Sequence, residues 1–257
     1  MASILVLWDV DFTLVDTRGV GRHLYQLAFA EMYGRPLPST ATEAGMAGRT
    51  DRAIATEVLA LAGVADPEGQ VTRFEAALSR LAPGLADRVA ATGKALPGAG
   101  PALAALAGQA RQSVLTGNVR ALAEVKLAPL GLTRYLNLDI GAYGNESAER
   151  ADLVHLARSR ARAAYGRDFP GEATVLVGDT PLDVAAALAT GARAVGVATG
   201  QFTTDELAEA GAHAVLADLA DTRAVLGAVL GTEPAGRGPA ADGQQPTGAY
   251  PYQPRPA

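Results

Sequence analysis

Short apolar runs punctuate this chain, and between them apolar positions recur every three or four residues. The runs are Ile4–Trp8, 113–116, 136–140, 174–177 and 194–197, with Ala214–Leu216 a weaker sixth. Most precede Ala/Leu-rich stretches at helical spacing, over 101–110, 121–130, 151–164 and 182–190. Near-continuous apolar strands separated by helices call for a parallel sheet covered on both faces. Right-handed crossovers between such strands give a doubly wound, Rossmann-like α/β fold.

One gap breaks the rhythm. Between the first run and residue 113 the pattern is helical, over 21–33, Asp51–Leu61, 68–81 and, more weakly, 85–91. Pro97-Gly98-Ala99-Gly100-Pro101 reads as the turn back into the core. The expected organisation is a core of 1–16 and 97–230 with a helical insert over 17–96. An insert directly after the first strand lies over the carboxyl ends of the strands, where open α/β sheets bind ligands. No internal repeat is present.

The chain ends differently. Residues 231–257 are rich in proline and glycine and almost free of aliphatic side chains. Such a segment buries too little surface to offset its ordering entropy, which predicts a disordered tail. Its Tyr-Pro-Tyr-Gln-Pro-Arg-Pro stretch is either inert or a polyproline-type partner motif.

Composition narrows the function classes. With 257 residues, 49% apolar and 19% charged, the chain has ample material for a core. Its net charge of −5 argues against a nucleic-acid footprint. Cysteine is absent, which excludes disulfides, thiol catalysis and cysteine-ligated zinc. His23, His155 and His213 are far apart, so a histidine metal site is not expected. The run Ile4–Trp8 is too short to span a membrane and no basic segment precedes it. A cytoplasmic protein, monomeric or homodimeric, is the expectation.

Three strand ends carry the candidate chemistry. Trp8-Asp9-Val10-Asp11-Phe12-Thr13-Leu14-Val15-Asp16 follows the first run. Two carboxylates at i and i+2 of an extended segment point the same way, and close like charges need a cation or a proton between them. A hard divalent ion such as Mg²⁺ takes oxygen ligands and suits the spot, whereas an acidic turn with no ion is the bland alternative. In Val177-Gly178-Asp179-Thr180-Pro181-Leu182-Asp183 a second strand opens a helix. Thr180 is a plausible N-cap with Pro181 at the first helical position, and capping alone explains Asp183. It does not explain Asp179. In Leu115-Thr116-Gly117-Asn118 a third strand ends in a hydroxyl and a turn. Those groups suit a phosphate oxygen, although Thr116 alone is more often a local cap.

Together these segments resemble the haloacid dehalogenase superfamily of phosphohydrolases. The pattern is an Asp-x-Asp-x-Thr loop, a strand-terminal Thr or Ser, a basic residue and an acidic Gly-Asp-x-x-x-Asp loop, and it runs from about Ser3 to Leu230. The insert then corresponds to an α-helical cap domain, and Gly48-Arg49-Thr50-Asp51 looks like cap sequences of phosphoglycolate-phosphatase-like members. Phe12 departs from the pattern, which usually has Gly there.

The resemblance implies that Asp9 is a nucleophile forming an aspartyl-phosphate and that Asp11 is the general acid and base. It implies Mg²⁺ on the Asp9 carboxylate, the Asp11 carbonyl and Asp179, supported by Asp183 and Thr13. Thr116, Gly117 and Asn118 would bind the phosphoryl group of a small phosphorylated metabolite. For the basic residue two candidates stand, Lys126 and Arg150, the latter where the family usually has Lys-Pro; Arg49 of the insert is a reserve. Metal-free dehalogenation is disfavoured by Asp11, Asp179 and Asp183. A sugar phosphomutase, a receiver-like signalling domain and a non-catalytic phospho-ligand-binding paralogue are the other readings.

Overall fold

The computed structural model describes residues 4–42 and 45–232. From residue 233 on, the expected tail lies outside the described residues. In chain order the elements are β1 (Ile4–Trp8), β2 (Val15–Asp16), α1 (Val20–Tyr33), α2 (Ser39–Thr42), α3 (Asp51–Leu61), α4 (Pro67–Leu81) and α5 (Ala86–Thr92). They continue with β3 (Lys94–Ala95), α6 (Ala99–Leu106), β4 (Ala110–Thr116), α7 (Arg120–Leu127), β5 (Ala142–Tyr143), α8 (Arg150–Tyr165) and β6 (Thr174–Gly178). The last are α9 (Pro181–Ala189), β7 (Arg193–Val197), α10 (Thr204–Glu209), β8 (Ala214–Leu216) and α11 (Thr222–Leu230).

Six strands form one parallel sheet in the order β5-β4-β1-β6-β7-β8. Alternation along β1 divides the core in two. Val6 and Trp8 face α6, α11 and part of α7, whereas Leu5 and Leu7 face α8 and α9. Both faces are buried, so the strands read as continuous apolar runs. The buried Trp8 indole donates to Gln112, which donates to the Leu103 carbonyl, so its one polar atom is satisfied. Register brings Trp8 beside Val114 and Val177. Asp9, Thr116 and Asp179 therefore follow at one end of the sheet, and Asp9 N–H still donates to the Val177 carbonyl at 2.8 Å.

The helices between β2 and β3 surround a third apolar cluster that includes Leu24, Phe29, Leu59, Phe74 and Leu78. Val119, Leu122 and Val125 of α7 join that cluster, so it is shared with the sheet's own helix layer. Where the chain leaves and re-enters, Val15 pairs with Ala95 and Asp16 with Lys94, antiparallel. This two-residue pairing was not expected. Among the described residues no helix is long and apolar enough to cross a membrane.

Two expected elements differ. The run 136–140 is not a strand: Asn137 N–H donates to the Gln112 carbonyl, its side chain accepts from Asp139 N–H, and a 3-10 turn follows over Leu138–Ile140. The edge strand is Ala142–Tyr143 instead. The helix expected over 101–110 stops at Leu106, and after Gly108 at φ +81° strand β4 already begins at Ala110.

Candidate active site

The loop after β1 is a tight turn. The Val10 carbonyl accepts from the N–H groups of Leu14 and Val15, and Phe12 N–H donates to the Val15 carbonyl. Phe12 stands at φ +53°, the left-handed region that favours glycine, which accounts for Gly being usual there. Its ring is half exposed, and its carbonyl accepts from the Thr199 hydroxyl. The turn leaves Asp9 buried and Asp11 one third exposed, with different partners.

Asp9 accepts from Arg150 Nη2 at 2.9 Å, and the same nitrogen donates to Asp183. Arg150 also donates to the Leu115 carbonyl and, through Nη1, to the Gly48 carbonyl of the insert at 3.2 Å. Asp183 is held by α9's own start. Its Oδ2 accepts from the N–H and hydroxyl of Thr180, whose hydroxyl oxygen accepts from Asp183 N–H, a reciprocal capping box. Asp179 accepts from the Thr13 hydroxyl at 3.3 Å. Carboxylate oxygens of Asp9, Asp179 and Asp183 all lie within 4.8 Å of one another.

Asp11 meets the other cation. Lys126 Nζ lies 2.7 Å from Asp11 Oδ1 and 2.9 Å from Asn118 Oδ1. Asn118 Nδ2 bridges Asp11 Oδ2 and the Thr116 hydroxyl, each at 2.8 Å. Lys126 is 3% exposed although it is charged, so its stem is packed and its head is committed to this network. Both candidate cations line the site, each on a different carboxylate.

Burial dominates the electrostatics. It pushes Asp9 up to about 7, with Asp183 and Asp11 adding to the rise and Arg150 opposing it. Burial, together with the charges of Asp9 and Asp183, pushes Asp179 up to about 9. Three buried acids share one guanidinium here, a charge imbalance that favours a proton or a cation among them.

A cavity of about 460 Å³ connects these groups. Asp9, Asp11, Thr116, Gly117, Asn118, Lys126, Arg150 and Asp179 line it, so the structure brings nearly all the expected residues to one place. Asp183 and Thr13 stand behind that surface. The opposite wall comes from the insert and includes Arg18, Arg22, Met46, Arg49 and Ile54. Arg49 pairs with Glu57 and donates to the Gly45 carbonyl.

Sequence reasoning missed the seam between insert and core. Asp51 N–H donates to the Gly117 carbonyl at 2.6 Å, Arg52 N–H to the Gly144 carbonyl at 3.0 Å, and the Thr50 hydroxyl to the Ala148 carbonyl at 3.1 Å. The backbones meet so closely that a Cβ on Gly117 would overlap the Arg49 carbonyl, and one on Gly144 would stand 2.7 Å from the Asp51 nitrogen. The Gly48-Arg49-Thr50-Asp51 motif was the available signal, but its partners are far away in sequence.

The family model of haloacid dehalogenase-like hydrolases matches residues 6–188. The chain belongs to this family. No curated protein matches this hydrolase in sequence. A predicted phosphatase from Clostridium acetobutylicum shares its fold at TM-score 0.64 and 16% identity, over 88% of this chain and 99% of that one. The haloacid dehalogenase-like hydrolase SP0104 of Streptococcus pneumoniae does so at TM-score 0.59 and 17% identity, over 87% and 99%. A Thermotoga maritima protein named provisionally as a beta-phosphoglucomutase follows at TM-score 0.55 and 21% identity, over 87% and 98%. At these identities the likeness is one of fold.

The donor set of this hydrolase fits a hard divalent cation. Asp9, Asp179 and Asp183 offer only carboxylate oxygens, which Mg²⁺ prefers. The site is packed around them: a Cβ on Gly200 would overlap the Asp179 carboxylate. The Asp11 carboxylate is not in this cluster and pairs with Lys126.

Proposed function

We propose that this hydrolase is a Mg²⁺-dependent phosphatase that cleaves a small phosphomonoester through an aspartyl-phosphate on Asp9. The observation carrying this reading is the convergence of two carboxylate systems on one cavity: Asp9 among Asp179, Asp183 and Arg150, and Asp11 on Lys126 and Asn118. Asp9, Asp179 and the Asp11 carbonyl would hold the cation, with Asp183 close enough to join them, and when bound it neutralises charge on the transferring phosphoryl group.

The remaining steps belong to the chain's own residues. An Asp9 oxygen attacks phosphorus, the bond to the ester oxygen breaks, and Asp11 gives that oxygen its proton. Asp11 then takes a proton from water as the water's oxygen attacks the acyl phosphate, releasing inorganic phosphate and restoring Asp9. Two steps with a carboxylate nucleophile replace one harder displacement. In this reading the Thr116 hydroxyl and the backbone at Gly117 and Asn118 would hold phosphoryl oxygens, with the Asn118 side chain fixing Thr116 and Asp11. Arg150 on Asp9 and Lys126 on Asp11 would supply positive charge to the transferring group.

The insert, residues 17–96, acts in this reading as a cap that walls off the cavity and selects the leaving group. The test is phosphate release with Mg²⁺ across a panel of small phosphomonoesters. Free phosphate in solution marks a phosphatase, and transfer to a second sugar hydroxyl without release marks a mutase. Full activity in EDTA, or in Asp9→Asn, would reject the mechanism.

A further inference from the structure

Asp51 occupies the first position of α3, in the insert, yet one oxygen of its carboxylate is bonded to the core. It is 3% exposed. Oδ2 accepts from Val119 N–H at 2.6 Å and Oδ1 from the Tyr25 hydroxyl at 2.9 Å. With Asp51 N–H on the Gly117 carbonyl, one residue of the insert bonds both ends of the segment 117–119. That segment is the phosphate-facing turn: Thr116 precedes it, Asn118 is its middle residue, and Val119 is the N-cap residue of α7, the helix that carries Lys126.

A carboxylate at the start of a helix complements the dipole without being buried. Burying it is costly and persists where strong donors compensate. Here the main compensating donor is the amide that fixes where the turn ends. Asn118 then passes the constraint on, since it bonds Asp11, Thr116 and Lys126 at once. Val119 follows Asn118 directly, so fixing its N–H constrains the residue whose side chain bonds Asp11.

We infer that Asp51 is a positioning residue that sets the phosphate-binding turn 117–119 in register with the insert, so that the turn is correctly shaped only when the insert is docked. This rests on the phosphatase reading for what the turn binds. Asp51 also lines the cavity, but its carboxylate oxygens are bonded to Val119 N–H and the Tyr25 hydroxyl, so it acts through Val119 and Asn118.

The experiment uses the full chain with Mg²⁺ and two probes: inorganic phosphate by titration calorimetry, and p-nitrophenyl phosphate for steady-state kinetics. Measurements are made well below the melting temperature, with folding checked by circular dichroism. Asp51→Ala is expected to weaken phosphate binding and to lower kcat, each by about tenfold or more, as loss of a charge-assisted hydrogen bond implies. Asp51→Asn keeps an acceptor for Val119 N–H and is expected to retain both within about threefold.

A folded Asp51→Ala with wild-type phosphate affinity and kcat overturns the inference, since a merely structural role shows only in the melting temperature. Equal losses in Asp51→Asn overturn it too, because the acceptor is still there. If Asp51→Ala does not fold, Val119→Pro carries the test: φ at Val119 is −58°, which proline accepts, so the donor is removed, and Val119→Ala, which keeps the N–H, controls for the change in the buried side chain. The same losses are expected in Val119→Pro, and wild-type behaviour there overturns the inference. A wild-type protein that neither binds phosphate nor hydrolyses the ester instead fails the phosphatase reading, and the assignment falls with it.

Discussion

Asp9 keeps its carboxylate where charge is expensive, and among the described residues the Arg150 guanidinium is the cation paired with it. Replacing Asp9 by Asn removes the proposed nucleophile and changes little in volume, so turnover should vanish while circular dichroism stays that of the wild type. The two cations should separate by phenotype. Lys126→Ala leaves Asp11 without its cation and should cost about 10²-fold or more in kcat, about 2.7 kcal/mol, in a folded protein. Arg150→Ala strips the guanidinium from Asp9 and Asp183 together. Breaking a buried ion pair by removing one partner typically costs about 3–5 kcal/mol, so this variant should lose stability as well as rate. Denaturant titration beside kinetics checks both. Wild-type kcat in Lys126→Ala and Arg150→Ala alike would remove the cations from the mechanism and direct attention to Arg49.

At the scale of elements, the insert contains an acid with a testable pH signature. Glu75 of α4 is buried, pairs with Arg52 through one oxygen and leaves the other without a partner. Burial pushes it up to about 7 from an ordinary 4.5, against the pull of Arg52 and with a further rise from Asp51. The folded protein therefore holds this proton more tightly than the unfolded chain. The stabilisation is complete below about pH 4.5 and is lost as pH rises through about 7. Glu75→Gln keeps the shape and stays neutral. It should melt higher than the wild type at pH 8 and show no such gain at pH 4.5, with roughly 2–4 °C for each kcal/mol recovered. A gain of equal size at both pH values would mean that protonation of Glu75 is not the cause.

The same scale explains what the sequence did and did not disclose. β1, β6 and β7 were legible because strands buried on both faces are apolar at every position. The Asp9 and Asp179 motifs were legible because each directly follows such a strand, and Thr116 because it closes the apolar end of β4. The run 136–140 misled because its apolar residues pack under a 3-10 turn, whose stop signal is a side-chain bond from Asn137 that hydropathy does not register. β2 and β3 are two residues each and exist only through pairing with each other. The seam at Asp51, Gly117 and Gly144 is made of backbone contacts between distant segments, and no local pattern encodes it. Asp183 was read correctly as a cap, but its approach to Asp9 and Asp179 depends on where β6 lies beside β1.

Across the whole molecule, β1, β6 and the start of α9 converge to bury three carboxylates within 4.8 Å, and a cation bound there ties those elements together. Anything that binds the folded state alone stabilises it by RT ln(1 + [L]/Kd), about 2.7 kcal/mol at a hundred times Kd. Saturating Mg²⁺ should thus raise the melting temperature by roughly 5–10 °C over the value in EDTA, at about 2–4 °C per kcal/mol. The rise should be specific to the cluster. Asp179→Asn and Asp183→Asn each remove an oxygen donor of full charge and should abolish most of it. Lys126→Ala alters the neighbouring Asp11 system and should leave it in place, since Asp11's carboxylate is outside the cluster. Differential scanning fluorimetry of the four proteins, with EDTA and with Mg²⁺, decides the matter. A Mg²⁺ rise that survives Asp179→Asn unchanged would place the cation elsewhere in the molecule, and no rise in the wild type would mean that Mg²⁺ does not bind at the three acids.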